Sequence, residues 1–107
     1  MHSNRIQELE NIIRENPNDK FALYALAKEY ETKGEIYKSI QMLENLLIVD
    51  KYYVGAYYHL AKNFEKTGEI KKALNIYEVG ITIATERQQF HALNELKNAK
   101  MNLELEL

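Results

Sequence analysis

Residues 25–36 read ALAKEYETKGEI, and residues 59–70 read HLAKNFEKTGEI. Leu26 and Leu60, Gly34 and Gly68, and Ile36 and Ile70 each stand 34 residues apart. The same offset pairs Ala22 with Ala56, Tyr24 with Tyr58, Ala27 with Ala61, Lys28 with Lys62, Glu31 with Glu65 and Glu44 with Glu78. A catalytic site needs its groups once, whereas a stacked structural unit needs the same packing residues in every copy. A doubled phrase in a chain of 107 residues therefore points to a repeat scaffold.

Within each copy the apolar residues fall at helical spacing. Leu23, Leu26, Ala27 and Tyr30 form one set, and Ile36, Ile40, Leu43, Leu46 and Leu47 form the next. The second copy repeats them as Tyr57, Leu60, Ala61 and Phe64, then Ile70, Leu74, Tyr77 and Ile81. Each unit is expected to be two helices broken at Gly34 or Gly68, because the residue just past a helix end often takes a left-handed conformation that glycine adopts without a Cβ penalty. Glu35 and Glu69 then suit the start of the following helix through its dipole. Small residues, Ala27 and Ala61 against Ser39 and Ala73, allow each helix pair to cross closely.

These residues carry a resemblance to the tetratricopeptide repeat family. Its pattern of apolar, small, aromatic, glycine, small and apolar positions is similar to Leu23, Leu26, Ala27, Tyr30, Gly34, Ser39, Leu43 and Leu46 in the first copy. In the second copy it is similar to Tyr57, Leu60, Ala61, Phe64, Gly68, Ala73, Tyr77 and Gly80. Lys51 and Thr85 stand where the family closes a unit with proline, whereas Pro17 keeps that position. The resemblance implies an all-α fold of about six helices, with αα-hairpins stacked in a right-handed superhelix. The expected layout is one domain over 1–107: an N-terminal half-repeat helix at 4–17, repeats at 20–53 and 54–87, and a capping helix at 86–105. In that last helix Phe90, Leu93, Leu96 and Leu103 are expected to form the apolar face. Asn94 and Glu95 would fall on packing positions in the repeat register, so the helix is expected to be shifted in register.

Composition narrows the function. Hydrophobic residues make up 46% and charged residues 28%, which suits a globular chain with a core. A formal charge of −2 and an isoelectric point near 5.9 give no basic footprint for nucleic acid or for an anionic membrane. There is no cysteine, hence no disulfide, thiolate metal site or cysteine nucleophile. The opening stretch, MHSNRIQELENIIRENPND, has no apolar run of signal-peptide length, and no stretch approaches a membrane span, so a cytoplasmic address is expected.

An enzyme would have to draw on three histidines, the acids and the hydroxyls. His2 is terminal, and neither His59 nor His91 has a His or Asp four residues away as a metal ligand pair would. Phosphate-loop and nucleophile-elbow motifs are absent, so no catalytic residue, metal or cofactor is assigned.

More telling are residues repeated without a packing reason. Tyr24, Lys28 and Glu31 follow at i, i+4 and i+7, and Tyr58, Lys62 and Glu65 copy them. Family resemblance implies that this face lines the concave groove that holds an extended or helical peptide, bordered by Phe21, Thr32, His59 and Lys66. One subtype clamps a peptide carboxylate with a lysine followed four residues later by asparagine. Tyr24 and Lys28 occupy those places here, which departs from that clamp. The expected function is a non-enzymatic interaction module, with aromatic rings supplying contact area and lysines meeting carboxylates of a protein or peptide partner. Two alternatives stand beside it: a homo-oligomer assembled through incompletely capped ends, since the tail LELEL spreads Leu103, Leu105 and Leu107 over more than one helical face, and, ranking lower, a small enzyme using His59.

Overall fold

The computed structural model describes residues 2–107, with side chains from Asn4 onward, so the side chain of His2 lies outside the described residues. The described chain is all-α. Its six helices are α1 (His2–Glu15), α2 (Lys20–Lys33), α3 (Ile36–Val49), α4 (Val54–Lys66), α5 (Ile70–Glu86) and α6 (Phe90–Glu106). They pack in sequence: α2 pairs with α3 and α4 with α5 as hairpins, α3 joins the two hairpins through α4, and α1 and α6 cover α2 and α5.

The hairpin turns follow from the two glycines. Gly34 and Gly68 adopt φ of 85° and 80°, the left-handed region. Each turn then returns two hydrogen bonds to the helix it ends. Gly34 N donates to Glu31 O at 3.0 Å and Glu35 N to Tyr30 O at 2.9 Å, while Gly68 N donates to Glu65 O at 3.1 Å and Glu69 N to Phe64 O at 2.8 Å. At the start of α2, the Asp19 carboxylate caps the helix by accepting from Ala22 N at 3.0 Å.

The small residues meet as their positions require. Ala27, Ala61, Ser39 and Ala73 are fully buried, among Leu23, Leu43, Leu46, Leu60 and Tyr77. Gly80 marks the closest approach. A Cβ there would lie 2.7 Å from Cβ of Tyr57 and 3.2 Å from Cδ1 of Leu96, so α4, α5 and α6 converge at a point with no room for a methyl group. One polar pair crosses between the repeats inside this core, Asn63 Nδ2 donating to Ser39 Oγ.

The last helix departs from the repeat. Asn16 and Asp50 stand 34 residues apart just past the ends of α1 and α3, and Asp50 halts α3 with an Asx turn in which its carboxylate accepts from Tyr52 N at 2.9 Å. The next position in that series is Ala84, followed by Thr85, and neither stops a helix. α5 accordingly runs on to Glu86 and ends in a turn of the hairpin kind, with Gln88 at φ 55°, Gln88 N donating to Thr85 O and Gln89 N to Ala84 O. α6 thus begins at Phe90, four residues later than the sequence suggests.

The resulting register buries Leu93, Leu96, Ala99 and Leu103 and leaves Asn94 and Glu95 in solvent. Phe90 is a correction: expected on the apolar face, it is 62% exposed, because it opens the helix on the side turned away from buried Leu96, Ala99 and Leu103.

Candidate functional site

The doubled stripe lies on adjacent faces of α2 and α4, and the structure joins its two copies through aromatic side chains. The ring of Tyr24 lies 5.6 Å from the ring of His59 and nearly perpendicular to it. His59 stands 5.7 Å from Tyr58 in the same edge-on manner. Tyr53, just before α4, adds a fourth ring 5.1 Å from Tyr24. The Tyr24 ring can lie this close to α4 because Gly55 is beneath it: a Cβ on Gly55 would come within 3.3 Å of the Tyr24 hydroxyl.

The two lysines sit over the two repeated tyrosines. Lys28 Nζ is 5.5 Å from the centre of the Tyr24 ring and Lys62 Nζ 6.0 Å from that of Tyr58, both within reach of a cation–π contact. Their anionic neighbours differ. Lys62 pairs with Glu65 at 3.9 Å, whereas Lys28 has no carboxylate within 4 Å among the described residues. Glu31, the counterpart of Glu65, turns across the repeat boundary. Its Oε2 is shut off from solvent, and His59 Nδ1 lies 3.2 Å away without the alignment of a hydrogen bond. Glu65 also accepts a hydrogen bond from the Tyr77 hydroxyl, which ties the stripe to the core of the second hairpin.

Titration behaviour follows from these surroundings. Burial pushes the Tyr24 hydroxyl above its ordinary range, helped by Tyr53 and by the charges of Glu31 and Glu95. Tyr77 is raised further, first by burial and then by its bond to Glu65. Both hydroxyls are neutral at physiological pH.

Of the ten residues named from sequence, Tyr24, Lys28, Glu31, Tyr58, His59, Lys62 and Glu65 come together as one surface. Phe21 precedes Tyr24 by three residues on α2 and is 71% exposed, and Lys66 is exposed in the last turn of α4, so both are free at the edges. Thr32 turns back to donate to the Lys28 carbonyl. Sequence reasoning assigned no site role to Tyr53, Gly55 or Glu95. The repeat could not reveal them. At the 34-residue offset Tyr53 and Gly55 stand opposite Asp19 and Phe21, so the available signal was the breaking of the repeat, not its preservation.

Elsewhere, α3, α4 and α5 leave a cleft of about 480 Å³ lined chiefly by Leu47, Ile48, Tyr57, Leu60 and Ile76, with Glu44 at its edge. Among the described residues, no three His, Cys, Asp or Glu side chains converge as metal ligands, and no helix is long and apolar enough to cross a membrane.

Comparison with protein-family models and with curated proteins returns no match. Solved structures do match. The crystal structure of a tetratricopeptide repeat domain protein from Salinibacter ruber shares 36% identity and a TM-score of 0.76, over 80% of this chain and 96% of that one. The TPR2B domain of yeast Sti1, solved in complex with pHsp70, superposes with a TM-score of 0.89 over 99% of this chain and 85% of its own, at 16% identity. SycD, a type III secretion translocator chaperone of Yersinia enterocolitica, gives 0.90 over 98% and 73% at 11% identity. At those identities the last two are similar in fold alone.

Proposed function

The chain belongs to the tetratricopeptide repeat family, and from that premise we propose that it is a non-enzymatic module binding a peptide or protein segment across α2 and α4, on the concave side of the superhelix. The observation that carries this reading is the continuous aromatic row from Tyr53 through Tyr24 and His59 to Tyr58, with Lys28 and Lys62 above its two repeated tyrosines. Rigid rings offer apolar contact area at small entropic cost, and ammonium groups offer partners for carboxylates. The ligand that fits is a segment with acidic side chains beside apolar ones.

The two copies contribute unequally. Lys28, with no carboxylate within 4 Å among the described residues, is the stronger anion site, while Lys62 must share Glu65. Glu65 acts as a support that holds Tyr77, and Glu31 is turned toward His59, so neither meets the ligand first. The binding unit is the whole chain as one domain, repeats 20–53 and 54–87 between the helix α1 (His2–Glu15) and the cap α6 (Phe90–Glu106). That the yeast domain was solved with pHsp70, and that SycD is a chaperone of translocators, supports a protein partner as the class of ligand.

Panning a random peptide library against the full chain tests the proposal. Enriched peptides should combine carboxylates with aromatic or aliphatic residues and lose binding to a folded Tyr24→Ala, Tyr58→Ala variant. Peptides that bind that variant as well as the parent would place recognition on another surface.

A further inference from the structure

α6 carries one face with an unexplained composition. Phe90, Asn94, Asn98, Met101 and Leu105 follow at steps of four, four, three and four, which aligns them along one side of the helix, away from buried Leu96 and Leu103. Met101 is 52% exposed and Leu105 78%, and Phe90 is exposed as well. The strip contains no Lys, Arg, Asp or Glu. A helix face that meets only water usually carries charge.

The opposite end of the stack differs. At the 34-residue offset, the α1 positions equivalent to Ser39, Met42, Leu46 and Val49 are Arg5, Glu8, Ile12 and Glu15, all exposed. Three charged residues close that end, and Arg5 is drawn toward Glu29 at 3.4 Å. Head-to-tail stacking would press those charges onto the uncharged strip of α6, so the favourable partner for the strip is itself.

The order of the strip supports this. When two copies of α6 run antiparallel about a two-fold axis beside Asn98, Phe90 of one copy faces Leu105 of the other, Asn94 faces Met101, and Asn98 faces its own counterpart. Aromatic meets aliphatic at both ends, and the central amides can hydrogen-bond to each other.

We propose that α6 is a self-recognition surface through which two copies of the chain form an isologous, antiparallel dimer. A 17-residue helix is about 25 Å long, so the contact buries less than the ~1,200 Å² at the low end of stable interfaces, and the dimer is weak and concentration-dependent. Lys97, beside the strip, approaches its own counterpart across the axis. Salt should therefore tighten the dimer, because the charge it screens is repulsive.

Sedimentation equilibrium on the full chain, from about 10 to about 500 µM at low and high salt, tests the proposal. The expected result is a monomer–dimer equilibrium, several-fold tighter at high salt. It is lost in Phe90→Asp and in Asn98→Glu, the second of which places like charges at the axis while keeping a good helix former. Circular dichroism of both variants should match the parent. A monomer at every concentration, a dimer untouched by Asn98→Glu, open-ended oligomers, or a dimer abolished by Tyr24→Ala would each overturn it.

Discussion

The side-chain amide of Asn63 donates to the hydroxyl of Ser39 at 3.0 Å, and both side chains are completely buried between the first and second hairpins. The second copy has Ala73 where the first has Ser39, so the bond belongs to one repeat junction only. It links α4 to α3 across the boundary that the aromatic row also spans. Ser39→Ala leaves the Asn63 amide without its acceptor and should cost about 1–3 kcal/mol, read as a lower urea midpoint at constant slope. Because Oδ1 of Asn63 already has no partner among the described residues, Ser39→Ala with Asn63→Leu should lose less than Ser39→Ala alone. A double variant as weak as the sum of the two single changes would show that the pair is not coupled.

Gln88 holds a left-handed conformation at φ 55° in the turn between α5 and α6, where the two hairpin turns use glycine. An L-residue there costs about 1–2 kcal/mol, and glycine returns roughly half of that through its freer unfolded chain. Gln88→Gly should therefore stabilise the chain by about 0.5–1 kcal/mol and raise the melting temperature by a few degrees. An unchanged or lower melting temperature would mean that the glutamine side chain contributes something its exposed position does not suggest.

Asp50 supplies the pH-sensitive joint between repeats. Its carboxylate is held below the usual range, first by the bond from Tyr52 N and then by Lys20 at 3.1 Å. A depressed folded value means that its stabilising contribution is present above the ordinary aspartate pKa of about 3.9 and is lost as pH falls through the lower folded value. Stability measured below about pH 4 should fall less steeply in Asp50→Asn than in the parent, since the amide oxygen keeps the Tyr52 bond but cannot titrate. Equal slopes would remove Asp50 from the acid response.

Salt separates the two kinds of contact in the proposed groove. Lys28→Ala with Lys62→Ala should weaken binding of a selected acidic peptide modestly, by less than about tenfold, and flatten its dependence on ionic strength. Tyr24→Ala should weaken binding at every salt concentration, because burial of apolar surface is not screened. Titration calorimetry at two salt concentrations reads both effects.

Much of the fold was legible because it is written twice. The hairpins, their glycine turns and the small-residue crossings recur at Leu26 and Leu60, Gly34 and Gly68, and Ala27 and Ala61, so each copy checks the other. Features that occur once were harder to read. The start of α6 depends on what Ala84 and Thr85 lack, a stop like that of Asp50, and it displaced Phe90 into solvent. The Glu31 to His59 contact and the Asn63 to Ser39 bond join positions 28 and 24 residues apart in different repeats. Only the stacking of hairpins brings them together. The stripe itself could be read from the spacing of Tyr24, Lys28 and Glu31, with His59 at its border, but the extension of the aromatic row to Tyr53 could not.

The central claim is that ligand lies across α2 and α4. Nitrogen-15 shift mapping of the full chain, titrated with a peptide selected on it, tests this most directly. Perturbed amides should cluster at Tyr24, Lys28, Tyr58, His59 and Lys62, with those around Ile48 and Ile76 unmoved. Perturbations concentrated on the cleft at Leu47, Ile48 and Ile76, or along the Phe90 to Leu105 strip, with the aromatic row silent, would contradict it.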